Sequence, residues 1–570
     1  MSPEVQAERE TAPPLSDPFA GNIAAHLPAQ AAARPFTRAL VMPRGRGKDD
    51  RREYAQVSFQ QLNALTDRYA HALSGLGVSR GDRVLILIKP GVELIAVIYA
   101  VFKLGAVTVF IDPGMGLKNL VAGVKRVAPK AFVGVSRAQG ALAILGRSAL
   151  ESVEVRALVG GGLGFGATNL DREAERASSE PFPLANMSPT DAAAILFTSG
   201  STGPPKGVVY EHGMFQAQVA HMRDVYGIAP GEVDLPGLPV FALFSVALGA
   251  TTVFPDIDPT RPALLDPRLW VEAIQNQGVT YSFGSPAIWW PVMRHCQAEG
   301  LELPSLKRIL MAGCPVPPAL HEGLAQLISP NARTYTPYGA TEALPVSSID
   351  GHALRETFEL TRTGAGVCVG LPLPGVSVRI AAVSDGPLAS WDEATILPEP
   401  GQRGEIVVAG PQVTKSYCEL PEATAQAKIH DGERIWHRMG DLGYLDDEGR
   451  LWFLGRKAHR VEASGGQRMF PVACEAIFNE HERVYRSALI GQGERGSERP
   501  VVVVEALPGQ APQGKQATEA LFAELKTLAE AQPHTAGIET FLLHPSFPVD
   551  LRHNAKIRRE DLREWAQGRL

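Results

Sequence analysis

The chain has 570 residues, of which 45% are hydrophobic and 20% are charged, and its net charge at pH 7 is −6. This length and composition are typical of a globular protein with roughly three to four domains. The sequence contains no block of basic residues, which argues against a nucleic-acid partner. The five cysteines, at positions 296, 314, 368, 418 and 474, form no CxxC pair. They predict reduced thiols in a cytoplasmic protein rather than disulfides or a zinc site.

Residues 1–20 are polar and lack an apolar segment, so they predict a disordered tail and not a secretory signal. The most hydrophobic stretch, residues 84–111, is interrupted by charged side chains such as Lys89 and Glu93. A membrane span needs about 18 uninterrupted apolar residues, so none is expected.

The first clear element is a helix. Apolar residues recur at helical spacing from Phe59 to Leu76, with Ser58 placed as an N-cap and Gly77 as a stop.

Short continuous apolar runs follow, separated by helical patterns such as that at 92–104. The runs lie at 84–88, 107–111, 251–254, 308–312 and 333–335. Strand, helix, strand is the order of a parallel sheet. The fold class is therefore predicted to be α/β, with sheets covered by helices.

A loop rich in glycine and hydroxyl side chains follows the apolar run Ala192 to Phe197 and precedes an amphipathic helical pattern. Its sequence is Thr198-Ser-Gly-Ser-Thr-Gly-Pro-Pro-Lys-Gly207. Glycines let backbone N–H groups approach a polyanion, and Lys206 adds charge, so the order strand, loop, helix predicts a nucleotide phosphate clamp. It is not a Walker A loop, because two prolines separate Gly203 from Lys206. A plain surface loop is the alternative.

A second glycine-rich segment, Gly162-Leu-Gly-Phe-Gly-Ala167, fits a dinucleotide-binding fingerprint. The residues after it, 168–180, lack an apolar helical face. A glycine loop without a dinucleotide is therefore predicted.

The last part of the chain changes in character. Residues 381–404 are rich in Pro, Gly, Asp and Ser and predict a turn-rich connection before a strand at 405–409. Beyond Gly455, a strand at 501–504 and a helix at 518–531 predict a separate domain of common size. The expected division is a tail at 1–20, a large domain at 21–456 with a β-rich subdomain at about 365–455, and a small C-terminal domain at 457–570.

Four further segments, together with the glycine-rich loop at 198–207, form a set of motifs in a fixed order along the chain. They are Tyr338-Gly-Ala-Thr-Glu342, Trp436-His-Arg-Met-Gly-Asp-Leu-Gly443, Leu454-Gly-Arg456 and Pro548 to Ile557, which ends in Ala555-Lys-Ile557. In order and spacing the five segments resemble the adenylate-forming superfamily of acyl-CoA synthetases, peptide-synthetase adenylation domains and luciferases. The resemblance covers about residues 22–565. It implies a large N-terminal domain, a small mobile C-terminal domain and ATP-dependent activation of a carboxylate with Mg²⁺.

The resemblance also implies a nucleotide site. Its residues would be Thr198, Ser199, Gly200, Ser201, Thr202, Gly203, Lys206, Gly313, Cys314, Pro315, Tyr338, Gly339, Ala340, Asp441 and Arg456. Ser199, Thr202 and Lys206 would hold the β- and γ-phosphates. Tyr338 would offer an aromatic face to adenine, and Asp441 would accept hydrogen bonds from the ribose beside Arg456.

Three residues are expected to act on the reacting groups, because attack of a carboxylate on the α-phosphate brings two anions together. Thr341 would donate to the α-phosphate, and Glu342 would ligate Mg²⁺ through a hard oxygen. Lys556 would reach from the small domain to neutralise the charge that develops. A solvated lysine is the alternative, since Ala555 stands where the family motif has glycine.

Two further regions depart from the family pattern. Members that make thioesters rotate the small domain about a hinge that commonly holds two acids and, further on, a lysine. Here the hinge position is Ala458, and Glu462 reverses the later charge. Ala242 stands where many members carry histidine. A fatty acyl-CoA ligase and a non-catalytic adenylate-binding protein remain alternatives.

Within the superfamily, the stretches Thr198 to His212 and Phe547 to Lys556 resemble the β-lactone synthetases of bacterial long-chain olefin biosynthesis. That resemblance implies a small-molecule substrate, a 2-alkyl-3-hydroxyalkanoic acid, that is adenylated on its carboxylate. Its own 3-hydroxyl would then displace AMP and close a β-lactone without coenzyme A. A complex with other enzymes of the olefin pathway is also implied.

The acyl pocket should be apolar and closed to water. Phe283, Gly284, Trp289 and Trp290 are expected to line it, with core packing as the alternative. His212 lies near the phosphate loop and has a suitable unperturbed pKa for a base. A structural role for that histidine is the alternative.

Overall fold

A computed structural model describes residues 21–145, 149–198, 205–258, 261, 264–391, 396–549 and 556–570. The predicted tail, residues 199–203 of the phosphate loop and residues 550–555 before Lys556 lie outside the described residues.

The N-terminal part alternates helices and strands. In chain order it contains α1 (His26–Ala33), β1 (Arg38–Arg46), β2 (Arg52–Ser58), α2 (Phe59–Gly75), β3 (Arg83–Leu87), α3 (Val92–Lys103), β4 (Val107–Phe110), α4 (Leu117–Val127), β5 (Ala131–Gly134), α5 (Ser136–Leu145), β6 (Val155–Leu158), β7 (Thr168–Asn169) and α6 (Leu170–Arg176). Helix α2 begins where the sequence predicts. The Ser58 side chain accepts from the Gln61 N–H, and the Gln61 side chain accepts from the Ser58 N–H, which forms a capping box.

The central part continues the alternation. It contains β8 (Ala192–Thr198), β9 (Lys206–Glu211), α7 (His212–Asp224), β10 (Val233–Asp234), α8 (Ala242–Leu248), β11 (Thr251–Val253), α9 (Pro267–Gln277), β12 (Tyr281–Gly284), α10 (Pro286–Glu299), β13 (Arg308–Met311), α11 (Pro318–Ala325), β14 (Arg333–Ala340), β15 (Ala343–Asp350) and α12 (Gly351–Arg362).

The phosphate loop does not lead into a helix, so the predicted order strand, loop, helix is wrong. Strand β9 follows the loop and pairs antiparallel with β8, with Thr198 opposite Lys206. Strand β9 includes Val208, Val209 and Tyr210, each of which pairs with a residue of β8. Helix α7 starts only at His212. The described residues on either side of the loop, Thr198 and Lys206, are thus paired strand residues, and a helix dipole cannot be invoked for phosphate binding there.

The remaining elements are mostly strands. They are β16 (Val367–Pro372), β17 (Ser377–Ala381), β18 (Gly404–Ala409), α13 (Pro421–Ala427), β19 (Lys428–Asp431), β20 (Arg434–Leu445), β21 (Leu451–Arg456), β22 (Val461–Glu462), β23 (Arg468–Met469), α14 (Pro471–Asn479), β24 (Val484–Gln492), β25 (Arg499–Ala506), α15 (Gly514–Glu530), β26 (Thr540–Leu543) and α16 (Arg559–Gln567).

Two large sheets carry the first 456 residues. The seven-stranded sheet has the order β7-β6-β5-β3-β4-β8-β9 and is parallel except for the β8–β9 hairpin. Helix α3 connects the parallel neighbours β3 and β4, as the apolar runs predict. The glycine loop at 162–167 lies between β6 and the two-residue β7 and precedes a helix of only seven residues.

The second sheet is mixed. Its strands follow the order β17-β18-β20-β21-β16-β15-β14-β13-β12-β10-β11-β1-β2, with β19 paired to β20. Strands β10 to β14 pair in parallel with one another, whereas β15 to β21 pair antiparallel. The carboxyl ends of β12, β13 and β14 therefore meet at one edge of the sheet.

The last hundred residues have a sheet of their own, in the order β24-β25-β26. Its core gathers residues such as Phe478, Val502 and Leu525 with the helices α14 and α15. Pro471 at the start of α14 lies against Gly455 of β21. No helix within the described residues is long and apolar enough to cross a membrane.

Candidate active site

The edge formed by β12, β13 and β14 collects several of the predicted residues. Gly284 ends β12, and its carbonyl accepts from Ala312 N at 3.1 Å, immediately before Gly313. Cys314 and Pro315 continue this turn, and Tyr338 to Ala340 end β14. In a parallel sheet this is the edge at which ligands bind.

Tyr338, Asp441 and Arg456 form one cluster, as the motifs predict. The Tyr338 hydroxyl donates to Asp441 Oδ2 at 2.7 Å, and Arg456 Nη1 lies 3.0 Å from Asp441 Oδ1. Strands β20 and β21 bring the last two together, because Asp441 and Arg456 are register partners. Burial raises the pKa of the Asp441 carboxyl, and Arg456 opposes that effect.

Gly339 fits its place because of a close approach. A Cβ atom there would lie 2.5 Å from the carbonyl oxygen of Ala343 across the hairpin of β14 and β15. A side chain at this position would displace the turn that carries Thr341 and Glu342.

Glu342 is held by a tyrosine that the sequence did not single out. The Tyr417 hydroxyl donates to Glu342 Oε1 at 2.8 Å, and Lys206 Nζ lies 4.9 Å from the centre of the Tyr417 ring. Burial and the Glu342 charge raise the pKa of Tyr417, so its hydroxyl stays a donor. The Tyr210 hydroxyl donates to the carbonyl of Thr341 at 2.5 Å. Lys206, Thr341 and Glu342 are thus linked by two tyrosines.

Residues 413–418, which we call the linking segment, join the two motifs through their main chains. At one end Val413 forms a bridge with Ala343, and at the other Tyr417 forms a bridge with Val208. Cys418 N donates to the carbonyl of Gly207 at 2.7 Å. The segment therefore sets the spacing between Glu342 on one sheet and Lys206 on the other.

Lys556 lies on the C-terminal part and is exposed. It directly precedes Ile557, which forms a bridge with Val549, and helix α16 begins two residues later. Its predicted role at the α-phosphate stays a prediction.

The four residues predicted for the acyl pocket occupy different environments. Trp289 is fully buried in a core cluster, edge-on to Trp270 at 6.2 Å, which is core packing. Trp290 is half-buried, with the Arg294 guanidinium over its ring. Phe283 is also half-buried and packs on Phe241 at 4.6 Å. Phe283 and Phe241 therefore form a half-buried aromatic surface near the carboxyl end of β12, whereas the Trp289 ring lies directly against Gly284.

His212 is not placed to act as a base. It is fully buried, its Nδ1 accepts from Ile23 N at 3.3 Å, and Phe102 packs edge-on against the ring. Burial lowers the pKa of His212 to about 4, so the ring is neutral. The structural alternative is the one that the geometry favours. Ala242, the other family departure nearby, is buried at the start of α8.

The hinge region is tied to the β-rich part by ion pairs. Lys457 Nζ lies 2.9 Å from Glu405 Oε1, and Arg460 Nη2 lies 2.6 Å from Asp385 Oδ2. Arg460 Nε also lies 3.0 Å from Glu462, the residue that reverses the family charge. Each side of Ala458 is therefore anchored.

Three buried side chains at the site, Tyr417, Thr414 and Lys428, belong to none of the five motifs. Tyr417 and Thr414 contact Glu342, which lies 75 and 72 residues earlier in the chain. The burial of Lys428, which is unusual for a charged residue, is visible only in the structure.

Among the described residues, no cluster of three or more His, Cys, Asp or Glu side chains could hold a metal by itself. This arrangement fits Mg²⁺, which is usually bound by one or two carboxylates together with phosphate oxygens and waters. Glu342 supplies a hard oxygen, and Lys206 lies against the same tyrosine, Tyr417, that donates to Glu342. The chemistry of the site therefore suits a magnesium nucleotide.

Comparison with known proteins identifies the family to which the chain belongs. The profile of the AMP-binding enzyme family matches residues 27–418. The chain belongs to the AMP-binding enzyme family. This AMP-binding enzyme is 45% identical to the olefin beta-lactone synthetase of Stenotrophomonas maltophilia (strain K279a) over 557 residues, 96% of this chain and 98% of that protein. It is 44% identical to the olefin beta-lactone synthetase of Xanthomonas campestris pv. campestris, over 96% of this chain and 97% of that protein.

Solved structures share the fold of this AMP-binding enzyme. An anthranilate CoA ligase in complex with anthranoyl-AMP superposes with a TM-score of 0.76 at 19% identity, covering 97% of this chain and 98% of that one. An amide bond synthetase from Marinactinospora thermotolerans superposes with a TM-score of 0.74 at 22% identity, covering 95% of this chain and 99% of that one. These comparisons confirm the predicted fold class and the resemblance to adenylate-forming enzymes.

Proposed function

We propose that this AMP-binding enzyme activates a long-chain 2-alkyl-3-hydroxyalkanoic acid with ATP and closes it to a β-lactone, releasing pyrophosphate and AMP. The observation that carries the proposal is the identity of 45% and 44% to two olefin beta-lactone synthetases over 96% of the chain. A cytoplasmic location and a complex with other enzymes of the olefin pathway belong to the same proposal.

The nucleotide would lie against the edge of the mixed sheet. Adenine would pack near Tyr338, and the ribose hydroxyls would donate to Asp441 beside Arg456. Lys206 would attract the β- and γ-phosphates, together with Ser199 and Thr202 of the loop. The cluster of Tyr338 with Asp441 and Arg456 supports this arrangement, because its carboxylate is already held in one orientation.

Glu342 would ligate Mg²⁺, which would supply charge neutralisation at the phosphates. The Tyr417 hydroxyl fixes one carboxylate oxygen, so the orientation of Glu342 is set before ligand binding. Thr341 would donate to the α-phosphate from the same turn. Its main chain is held by the Tyr210 hydroxyl.

In the first step a carboxylate oxygen of the substrate bonds to the α-phosphorus, and the bond from that phosphorus to the bridging oxygen breaks. Pyrophosphate leaves with the electron pair. Lys556 would neutralise charge on the α-phosphate during this exchange. The Lys556 charge would stabilise the transition state in which the carboxylate approaches the α-phosphate. Lys556 would therefore affect the rate of adenylation more than the affinity for ATP.

In the second step the 3-hydroxyl oxygen bonds to the acyl carbon, the bond from that carbon to the phosphate oxygen breaks, and the hydroxyl proton is taken up by the departing phosphate. AMP is the leaving group. The nucleophile is already tethered to the electrophile, so the enzyme must only orient the chain and exclude water. Phe283, packed on Phe241, would form part of the apolar wall.

The proposal is tested by product analysis. Purified enzyme is given ATP, Mg²⁺ and a long 2-alkyl-3-hydroxyalkanoic acid without coenzyme A, and the products are separated and weighed by mass spectrometry. A product lighter than the acid by one water, formed together with AMP, is expected. Accumulated acyl-adenylate or unchanged acid would contradict the proposal.

The same assay with coenzyme A examines the alternatives. If product appeared only when coenzyme A was added, and that product was the acyl-CoA thioester, a fatty acyl-CoA ligase would be favoured. If pyrophosphate exchange into ATP failed with every carboxylic acid, a non-catalytic adenylate-binding protein would be favoured.

A further inference from the structure

Lys428 is a buried cation that the proposed function does not yet use. It is the first residue of β19 and is 2% exposed. Opposite it in the sheet stands His437, also buried, whose ring nitrogen Nδ1 meets the carbonyl of Ala427 at 3.2 Å. Burial holds the pKa of His437 well below its ordinary value, so the histidine is neutral.

Lys428 is connected to Glu342 through one residue. Its Nζ donates to the carbonyl oxygen of Thr414 and lies 3.4 Å from Thr414 Oγ1. Thr414 in turn donates twice to the carbonyl oxygen of Glu342, from its N at 2.9 Å and from its Oγ1 at 3.0 Å. Thr414 belongs to the linking segment and is fully buried.

Burying the Lys428 amino group is energetically unfavourable, and packing alone would not require a lysine at this position. Burial lowers the pKa of Lys428 to about 7, and the charge of Glu342 opposes that effect. The ion pairs of the described residues include none with Lys428, so the lysine is held by hydrogen bonds to neutral oxygens. Burying a cation in this way is unfavourable, and an apolar side chain of similar length would pack at lower cost.

We propose that Lys428 is a positioning residue for adenylation, which holds Thr414 and, through it, the main chain of Glu342. Glu342 is then held at two points, at its main-chain carbonyl by Thr414 and at its carboxylate oxygen Oε1 by Tyr417. This inference rests on the proposed nucleotide role of Glu342. It does not depend on the identity of the acid or on lactone formation.

Lys428→Met removes the amino group and keeps a side chain of similar length. The melting temperature does not separate a merely structural lysine from a positioning lysine, because removing a buried amino group and losing its hydrogen bond to the Thr414 carbonyl change stability in opposite directions. A positioning role further predicts that kcat for pyrophosphate–ATP exchange falls at least tenfold. It also predicts that the Mg²⁺ concentration for half-saturation rises severalfold.

Binding is measured separately from turnover in the full-length enzyme. Titration calorimetry with ATP is carried out with and without Mg²⁺. The affinity of Lys428→Met for ATP alone should stay within about twofold of the parent value, while the gain in affinity on adding Mg²⁺ should shrink. Exchange kinetics and a Mg²⁺-dependent gain that both match the parent enzyme would overturn the proposal. Because this titration needs no acid, a failed lactone assay would leave the result unaffected.

Lys103 offers a matched control. It is also 2% exposed, and burial also lowers its pKa, but it lies on α3 and pairs with Asp67 and Asn63. Lys103→Met should lower the melting temperature, because Asp67 is left buried without its cation. The Mg²⁺ dependence of ATP binding should be unchanged in this variant.

Thr414→Val serves if Lys428→Met does not fold. It removes the Oγ1 bond to the Glu342 carbonyl and retains the bond from Thr414 N. We expect the same direction of change in Mg²⁺ dependence, with a smaller size than for the lysine variant. A Thr414→Val enzyme with parental Mg²⁺ dependence and kcat would count against the proposal.

Discussion

The hydroxyl of Tyr417 donates to Glu342 Oε1 at 2.8 Å, although 75 residues separate the two in the chain. The same tyrosine ring lies beneath Lys206, whose Nζ is 4.9 Å from the ring centre. One side chain thus contacts both the carboxylate expected to bind Mg²⁺ and the lysine expected to bind phosphate. Tyr417 fixes the relative positions of the two charged groups.

Tyr417→Phe should therefore slow adenylation without unfolding the protein. A hydrogen bond to a charged group contributes about 1.5–3 kcal/mol, so kcat for pyrophosphate exchange should fall by about tenfold to a hundredfold. The ring remains, so the contact with Lys206 and the affinity for ATP should change little. Tyr485→Phe, at an exposed position of the C-terminal sheet, is the control and should match the parent enzyme. Equal kcat in the Tyr417 variant and the control would contradict the role.

The sequence predicts which residues come together in part of the candidate nucleotide site. Tyr338, Asp441 and Arg456 lie in separate motifs, yet the structure joins them through a hydrogen bond and an ion pair. The motifs of Tyr338 and Arg456 lie at the ends of β14 and β21, and the motif of Asp441 lies within β20. The order of the motifs was enough to predict that these three residues lie close together, because the family resemblance implies that their motifs meet at one site.

Other features could not be predicted, for physical reasons. The sequence does not distinguish strand β9 from the start of a helix, because short apolar runs fit either element. It also does not tell which side of α10 faces the core, so the burial of Trp289 against Trp270 is visible only in the structure. Tyr417 and Lys428 gain their importance only from contacts with Glu342 and Thr414, which no periodicity encodes.

Lys556→Ala should separate chemistry from binding. The lysine is exposed on the C-terminal part, and the charge that it would neutralise develops only as the carboxylate attacks phosphorus. We expect pyrophosphate exchange to fall by about 10²–10³-fold, the usual cost of losing one charge-stabilising group. Calorimetry should show that the affinity of the variant for ATP stays within about twofold of the parent value. Arg558→Ala removes a nearby cation that pairs with Asp561 and should leave exchange intact; parental exchange in Lys556→Ala would refute the role.

Two ion-paired carboxylates near the hinge should differ sharply in their effect on stability. Glu405 is 1% exposed and is paired with Arg438 at 2.7 Å and with Lys457 at 2.9 Å. Glu405→Gln leaves two cations near one neutral amide, so the free energy of unfolding should fall by about 3–5 kcal/mol.

The matched change is Asp385→Asn, which weakens the pair with Arg460. Asp385 is 61% exposed, so this pair should contribute at most about 1 kcal/mol. Denaturant unfolding of both variants measures the difference. Similar losses in the two variants would mean that burial does not govern the hinge contacts.

The buried carboxyl of Asp234 should make stability depend on pH. Ser245 Oγ donates to Asp234 Oδ2 at 2.6 Å, and the Tyr281 hydroxyl donates to Ser245 Oγ at 3.1 Å. Burial raises the pKa of Asp234 from 3.8 to about 8. Glu232 and Arg308 are the charged groups beside this cluster, and they pair with each other at 2.7 Å.

The sign follows from proton binding. Between about pH 4 and pH 8 the folded protein keeps a proton on Asp234 that the unfolded chain has released. The free energy of unfolding contributed by this group is therefore greatest at low pH and is lost as the pH rises through 8.

Asp234→Asn keeps the shape and the acceptor for Ser245 but cannot ionise. Relative to the parent, the variant should gain stability as the pH rises from 6 to 9, by on the order of 3 kcal/mol. Denaturant midpoints at several pH values measure this gain. Asp256→Asn, at a carboxyl that is 51% exposed, is the control and should show no such trend. Parallel pH curves for the parent and Asp234→Asn would mean that the buried carboxyl ionises in the folded protein as readily as in the unfolded chain.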